Sequence, residues 1–314
     1  MNPSMECHCL PFHKIPHTTK LFSAFAENFE EVSGYYGHPP TVAGVLTAAR
    51  KIQLDENVRR GVVEVLREQN KAFGAGPDTI RNLERLAKGA AAIVTGQQVG
   101  LFGGPAYSLY KAISAVRYAD EITNAGVDSV PIFWLATEDH DFAEINHVAW
   151  NTKQGLAEFE LAARESEAGR RVGEIKLGAP VTALVAKAAG SLEEPFGKEI
   201  AQALRDSYTR EETYGTAFGK LMARLLTGRG IIFLDPLDPR FHRLAAGVYL
   251  RALSEAALLR DSLIARSKEL DKAGYHAQVK ITGESTLLFC NVDGRRQPLR
   301  MRNGKFTAGR SSFT

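Results

Sequence analysis

The chain has 314 residues, of which 44% are hydrophobic and 24% are charged, a composition typical of a globular protein with one large domain or two smaller ones. It has 39 Lys and Arg residues against 36 Asp and Glu, with no run rich in Lys and Arg, which argues against a nucleic-acid partner. Three cysteines are too few for a disulfide framework and favour a reducing compartment, the cytoplasm.

The N-terminal segment favours neither export nor metal binding. It lacks the continuous apolar core of a signal peptide, and no apolar stretch in the chain reaches the roughly 18 residues of a membrane span. Cys7 and Cys9 flank His8 in a spacing that can bind a metal, but no second cluster completes the four ligands of a structural zinc site. We therefore expect no metal at this segment and no membrane partner.

Residues 1–88 predict a helical segment. Thr19 can cap a first helix that ends near Gly34, Asp55 can cap a second helix, and Pro77 suits the first position of a third. Apolar residues recur along these stretches at helical spacing. Such stripes are more typical of packing surfaces than of ligand sites.

Residues 89–150 and 211–274 predict the two parts of a parallel α/β core. Short apolar runs at 90–95, 130–136 and 231–234 are typical of strands buried on both faces. A predicted helix from Pro105 to about Asn124 connects the first two runs, and a βαβ unit of this kind makes its strands parallel. The third run follows a predicted helix near 214–227 and leads into a long predicted helix over 239–272.

The remaining segments predict two smaller parts. We interpret 151–210 as an α+β insertion, with strands at 158–161 and 172–177 followed by two short helices. We interpret 275–314 as a β-meander, because Asp293-Gly294 and Asn303-Gly304 are strong two-residue hairpin signals.

Polar, turn-forming residues follow each of the three predicted strands. They occupy 95–105 after the first strand, 137–141 after the second and 235–240 after the third. In an open parallel sheet, ligands bind in the crevice beyond the carboxyl ends of the strands. The sequence therefore predicts one site that these segments share.

The first of these segments, the glycine loop 96–104, runs into the N-terminus of a helix. Glycines let the backbone approach a ligand closely, and a helix N-terminus favours an anion such as phosphate. Lys111, one turn beyond Tyr107, can reach such a phosphate. The loop matches neither the P-loop nor the dinucleotide fingerprint, and a plain strand-to-helix turn remains an equal alternative. The candidate binding residues are Thr95, Gly96, Gln97, Gln98, Gly103, Gly104, Tyr107, Lys111, Thr137 and Glu138.

The second segment places four titratable groups side by side, Glu138, Asp139, His140 and Asp141. Crowded carboxylates raise one another's pKa, and an imidazole among them can act as an acid or base near neutral pH. We take Asp139, His140 and Asp141 as the catalytic candidates. The same groups can hold Mg²⁺ beside a nucleotide, and a solvated turn with a capping Asp141 is the plain alternative.

Other polar residues near the predicted strands favour structural roles. Asp235 and Asp238 lie in an Asp-Pro-x-Asp-Pro stretch, which suits helix capping better than catalysis. His147, His242 and His276 are isolated in the sequence and are expected to be hydrogen-bonded packing residues.

The polar segments resemble the signatures of a known family, the cysteine ligases of bacillithiol biosynthesis, BshC. The resemblance rests on residues 94–107 with Lys111, on 131–142 with 144–147, and more weakly on 274–279. It implies a Rossmann-like core of the nucleotidyltransferase type, related to class I aminoacyl-tRNA synthetases. It also implies addition of L-cysteine to the amine of glucosaminyl-malate, the last step of bacillithiol synthesis, with ATP as the cofactor that activates the cysteine carboxylate.

The resemblance also implies roles for the candidate residues. The glycine loop and the following helix would hold phosphates or another anionic group, and Lys111 would neutralise negative charge. Asp139, His140 and Asp141 would orient the substrate amine or thiol or accept its proton, and Gln97 and Gln98 would donate and accept neutral hydrogen bonds.

The chain departs from the related synthetases in two places. Leu101-Phe102-Gly103-Gly104 stands where they carry His-x-Gly-His, and no Lys-Met-Ser-Lys-Ser-like loop is present. Family members continue beyond this length with a coiled-coil region, so we expect this chain to be an N-terminal fragment. Two alternatives stay open: another nucleotidyltransferase or sugar-nucleotide enzyme, or a non-catalytic binding protein that uses helix 240–272 for a partner or a homodimer.

Overall fold

The computed structural model describes residues 9–302 and 304–313. The sequence-based expectations for Cys7, His8 and Asn303 lie outside the described residues. In chain order, the helices are α1 (Lys20–Glu27), α2 (Val42–Ala49), α3 (Glu56–Ala72), α4 (Pro77–Ala87), α5 (Tyr107–Asn124), α6 (Pro180–Gly190), α7 (Gly197–Ser207), α8 (Tyr214–Leu225), α9 (Pro239–Leu244), α10 (Ala246–Ser254) and α11 (Ala256–Lys272). Within the described ranges, none of these helices combines the length and the apolar character that crossing a bilayer requires.

The strands form three separate sheets. They are β1 (Ala91–Gln97), β2 (Ser129–Leu135), β3 (His147–Thr152), β4 (Gly155–Glu160), β5 (Ile232–Leu234), β6 (Ser285–Val292), β7 (Arg295–Arg302), β8 (Lys305–Ala308) and β9 (Ser311–Phe313). A parallel sheet has the order β1-β2-β5, β3 and β4 form an antiparallel hairpin, and β6 to β9 form an antiparallel meander. The predicted parallel core and meander are both confirmed.

Side-chain caps fix the starts of α1, α2 and α3. As predicted, the Asp55 carboxylate accepts hydrogen bonds from the first free backbone N–H groups of α3. Pro77 is the first residue of α4, also as predicted. Thr19 caps α1, but that helix ends at Glu27, so the expected end near Gly34 is wrong. The physical reason is Asn28, whose side chain bonds to the following turn instead of continuing the helix.

The two faces of the parallel sheet are covered unequally. Helices α3 and α4 pack on one face of β2 and β5, and α5 and α8 pack on the other. Strand β1 lies at the edge, and its Val94 side chain is 57% exposed. Burial of both faces was therefore a correct prediction for most of β2 but wrong for β1, because α3 and α4 do not extend over the edge strand.

Two side chains of α3 cover the open edge of β5. The Asn70 amide donates to the Phe233 carbonyl oxygen at 2.8 Å and accepts from the Phe233 N–H at 2.9 Å. The adjacent Gln69 amide makes the same pair of bonds with the backbone of Asp235, two residues further along the strand exit, at 2.8 and 3.0 Å. The side-chain amides thus replace a neighbouring strand, and they fix the position of Asp235.

Two other sequence-based expectations are wrong. Residues 239–272 form three helices that break at Ala245 and Glu255. The first break separates α9, which packs on α3, from α10 and α11, which both pack on β6. Residues 172–177 begin with a 3-10 turn rather than a strand, because the N–H groups of Val172 and Gly173 bond to the segment that follows β2. The Asp293-Gly294 hairpin is confirmed, with both residues at positive φ.

The division into domains stays a prediction. The β3–β4 hairpin begins at His147 and so crosses the boundary predicted at 150.

We expect Asn70→Ala to lower the free energy of unfolding by about 3 kcal/mol. The substitution leaves two buried backbone groups of Phe233 without partners, and each such group costs about 1–3 kcal/mol. Urea unfolding of the purified chain measures the change. The exposed Asn151→Ala is the matched control and should stay within about 0.5 kcal/mol of the parent. Equal stability of the two variants would contradict the role of Asn70.

Candidate active site

The exits of β2 and β5 are joined by a buried hydroxyl–carboxylate bond. Thr137 is fully buried after β2, and its hydroxyl donates to Asp235 Oδ1 at 2.5 Å. Gly173 and Gly215 pack against the Thr137 side chain so closely that a Cβ on either would lie under 3 Å from it. The third predicted polar segment therefore does meet the second.

The exits of β1 and β2 are joined by a second contact. Gln98 Nε2 donates to Asp139 Oδ2 at 2.7 Å, across 41 positions of sequence. The parallel register places Gln97 beside Leu135, so both strands end at the same height. Gln98 Oε1 is buried and has no hydrogen-bond partner among the described residues. The two central segments of the predicted crevice thus face each other.

The environment of Asp139 favours its ionised form. Burial alone would raise the pKa of Asp139, but the hydrogen bonds from Gln98 and from the His140 N–H, with the positive charge of Arg296, lower it overall. We expected the crowded carboxylates to raise one another's pKa, and for Asp139 this expectation is wrong. The physical reason is that donors and a cation surround Asp139.

The other catalytic candidates are exposed. The imidazole Nδ1 of His140 lies 3.3 Å from Asp139 Oδ1 and 3.5 Å from Arg296 Nη1. Asp141 is the residue before a short 3-10 turn, but its side chain makes no hydrogen bond to the N–H groups of that turn. The capping role considered for Asp141 is therefore wrong, and its carboxylate lies at the protein surface.

On the other side of the crevice, three of the candidate binding residues form a chain of hydrogen bonds. Lys111 Nζ donates to Gln97 Oε1 at 3.0 Å, and Gln97 Nε2 donates to the Tyr107 hydroxyl at 2.7 Å. Lys111 is exposed, and a lysine ammonium carries three N–H groups. Lys111 therefore keeps donors for an anion while its position is set by Gln97.

The glycine loop is packed closely within the protein. Thr95 and Gly96 belong to β1, where a Cβ on Gly96 would lie 2.8 Å from the carbonyl oxygen of Trp134. Residues 101–103 are buried, and the N–H groups of 100, 101, 103 and 104 all bond within the protein. These four N–H groups are therefore already engaged, and anion binding by the rest of the loop stays a prediction.

Glu138 has a partner that the sequence did not indicate. Glu138 Oε1 lies 2.8 Å from Nε2 of His242, which is on α9 after the third strand exit. The pKa of Tyr249 is raised by burial and by the Glu138 charge. His242 therefore lies in the crevice, and its only sequence signal was its position one turn into the helix that follows β5.

Arg296 was also missed. It lies on β7 in the meander, and its backbone N–H donates to the Gly169 carbonyl oxygen at 3.1 Å. Its guanidinium stacks on the Phe289 ring at 3.5 Å and reaches His140. No sequence pattern links β7 to the exit of β2, since 156 positions separate Arg296 from His140.

The remaining polar candidates have structural partners. Asp238 caps α9 by accepting from the Arg240 N–H, as predicted. Asp235 accepts from the Leu237 N–H as well as from Thr137. His147 contacts the Asn146 side chain at 3.1 Å.

The described residues do not form a metal centre. Within 9–302 and 304–313, no three His, Cys, Asp or Glu side chains converge as metal ligands, so the geometry adds no support for Mg²⁺. A cavity of about 860 Å³ opens elsewhere, beside α3 and residues 87–89, which precede β1. Because residues 87–89 precede β1, the cavity lies near the amino ends of the strands, whereas the crevice lies at their carboxyl ends. We therefore assign the chemistry to the crevice.

The fold and the crevice together define a Rossmann-like α/β domain with a candidate site at the carboxyl ends of its parallel strands. Residues 5–314 match the family model "Bacillithiol biosynthesis BshC, N-terminal Rossmann-like domain". The chain therefore belongs to this family.

Three relatives carry the name "Putative cysteine ligase BshC". The protein of Koribacter versatilis is 37% identical over 306 residues, which cover 98% of this chain and 57% of the relative. The protein of Solibacter usitatus is 36% identical over 312 residues, covering 99% and 58%, and that of Chloroherpeton thalassium is 29% identical over 325 residues, also covering 99% and 58%. The chain spans a little more than half the length of these relatives.

We expect Asp235→Asn to stabilise the protein at neutral pH. The pKa of Asp235 is raised overall. Burial raises it most and the charges of Glu138 and Asp238 raise it further, whereas the hydrogen bonds from Thr137 and Leu237 lower it. The protonated carboxyl therefore contributes stability that is present below the unfolded pKa, about 3.9, and is lost as pH rises through the raised folded value. Asn keeps the acceptor oxygen without the charge, so the gain should vanish toward acid pH.

The matched control is Asp238→Asn, which should show the opposite sign. The pKa of Asp238 is lowered by its Arg240 hydrogen bond, so its ionised form stabilises the fold above the unfolded pKa. Urea unfolding of both variants from pH 4 to pH 8 measures the two trends. A loss of stability for Asp235→Asn at pH 7 would contradict the assignment.

Proposed function

We propose that this chain carries the crevice of a cysteine ligase that joins L-cysteine to glucosaminyl-malate in the last step of bacillithiol synthesis. The family membership and the relatives' printed name support a ligase of this pathway. The observation that carries the proposal is the Gln98–Asp139 bond, which assembles donors, a carboxylate and an imidazole at one sheet edge. We place the reaction in the cytoplasm.

The reaction forms an amide bond between the cysteine carboxyl carbon and the sugar nitrogen. The attacking amine must lose a proton, and His140 is the exposed base beside the ionised Asp139. The unpartnered Gln98 Oε1 is an acceptor that an N–H of the substrate amine would satisfy. Asp141, exposed next to His140, is assigned to substrate contact.

A free carboxylate is a poor electrophile, so we propose ATP as the activating cosubstrate. Attack of the cysteine carboxylate on the α-phosphate gives cysteinyl-adenylate and pyrophosphate, and attack by the amine then releases AMP. Lys111 is the residue placed to contact a phosphate, through the N–H groups that Gln97 does not use.

The direct test supplies the 314-residue chain with L-cysteine, glucosaminyl-malate and ATP and follows the product thiol and AMP by mass spectrometry. We expect both products in equal amounts, and neither when ATP or cysteine is omitted. Product without ATP would reject the adenylate step. A complete reaction mixture that yields no product thiol would reject the ligase.

We expect Asp139→Asn to lower the rate of product formation by at least about 100-fold, the low end of the usual contribution of acid–base groups. The variant removes the charge beside His140 and keeps the shape of the side chain. Asp120→Asn is the matched control, because Asp120 is exposed on α5 away from the crevice and should leave the rate unchanged. Equal rates for both variants would contradict the role of Asp139.

A further inference from the structure

The β-meander brings an unpaired cation to the crevice. Arg296 is half-buried on β7, and none of its guanidinium nitrogens is within 4 Å of a carboxylate in residues 9–302 and 304–313. Arginines nearby do have such partners: Arg302 Nε lies 2.7 Å from Glu284, and Arg171 pairs with Glu174. Arg295 and Arg170 also lack a carboxylate within 4 Å among the described residues, and what distinguishes Arg296 is its approach to His140 at 3.5 Å.

The position of Arg296 is fixed from two sides. Its backbone bonds to Gly169 of the insertion, and the adjacent Arg295 forms a β-bridge with Arg170. The guanidinium carbon lies over the Phe289 ring, 3.5 Å from its centre, and this cation–π contact restricts the side chain without using its N–H groups. Less side-chain entropy is then lost when Arg296 binds a planar, bidentate anion.

The guanidinium of Arg296 lies beside the proposed acid–base pair. Its Nη1 lies 3.5 Å from His140 Nδ1, so the guanidinium borders the proposed acid–base pair rather than distant surface. Its charge also contributes to lowering the pKa of Asp139, behind the hydrogen bonds from Gln98 and the His140 N–H. A carboxylate bound at the free edge of Arg296 would lie beside the reacting groups of the crevice.

We propose that Arg296 binds a substrate carboxylate, that of the malyl group, and so selects a dicarboxylate-bearing sugar amine. This inference rests on the proposed function for the identity of the malyl group. Cysteine also carries a carboxylate, but in the proposed reaction that group is activated and must stay accessible. Arg296 therefore holds the acceptor substrate, and its meander forms one wall of the site.

The test titrates sodium L-malate into the 314-residue chain by calorimetry. We expect Arg296→Gln to weaken malate binding at least tenfold, and Arg296→Lys to weaken it less, because Lys keeps the charge but not the paired N–H groups. Arg295→Gln is the matched control, since consecutive residues of a strand face opposite sides, and it should change binding less than twofold. Arg296→Lys also serves as the charge-conserving variant should Arg296→Gln fold poorly.

Three outcomes would overturn the inference: no malate binding by the parent chain, equal losses in Arg295→Gln and Arg296→Gln, or a loss of L-cysteine binding instead of malate binding. The ligase assay on the same proteins separates the two proposals. Malate binding that depends on Arg296 in a chain that makes no product would reject the ligase but keep the carboxylate site. If Arg296→Gln changes neither product formation nor malate binding, the carboxylate site is rejected and the ligase is kept.

Discussion

The parallel pairing of β1 with β2 is the constraint on which the site depends. Because the two strands run in the same direction and Gln97 pairs with Leu135, the residues that follow them emerge side by side. The Gln98 amide can then reach the Asp139 carboxylate at 2.7 Å across 41 positions of sequence. An antiparallel arrangement of the same strands would send these two segments to opposite ends of the molecule.

A shell of buried polar contacts holds these exits in place. Thr137 donates to Asp235, Asp235 is fixed by the Gln69 amide, and the Val172 and Gly173 N–H groups bond to the carbonyl oxygens of Asp139 and Thr137. These contacts join Asp235 and residues 172–173 directly to the end of β2, and α3 indirectly through Asp235. Buried polar groups of this kind are costly unless all are satisfied, so the segment has little freedom to move.

Local signals in the sequence predicted most of the core, because helix caps and apolar runs act over a few residues. Asp55, Pro77 and the Asp293-Gly294 turn are each found in the predicted role. Apart from the early end of α1 at Asn28, the failures have non-local causes. Residues 239–272 contain no proline, apart from Pro239 at the start, yet they break at Ala245, where the packing partner changes from α3 to β6.

The candidate site shows the same limit. Its two central segments were predicted from their positions after strands, whereas His242 and Arg296 come from 104 and 156 positions away and carry no motif of their own. The electrostatics could not be predicted either: four adjacent titratable groups indicated a raised pKa, but Asp139 receives a hydrogen bond from Gln98 and the charge of Arg296, which come from two other parts of the chain. Only the folded arrangement decides which of these effects is larger.

The most direct measurement of the central claim is the pKa of Asp139, followed by carbon-13 NMR of its carboxyl group in the parent chain and in Gln98→Met. If the exits of β1 and β2 are in contact, removal of the Gln98 hydrogen bond raises the pKa of Asp139, and the neighbouring Gln97→Met leaves it unchanged. A pKa that is the same in all three proteins would contradict the contact and, with it, the shared crevice.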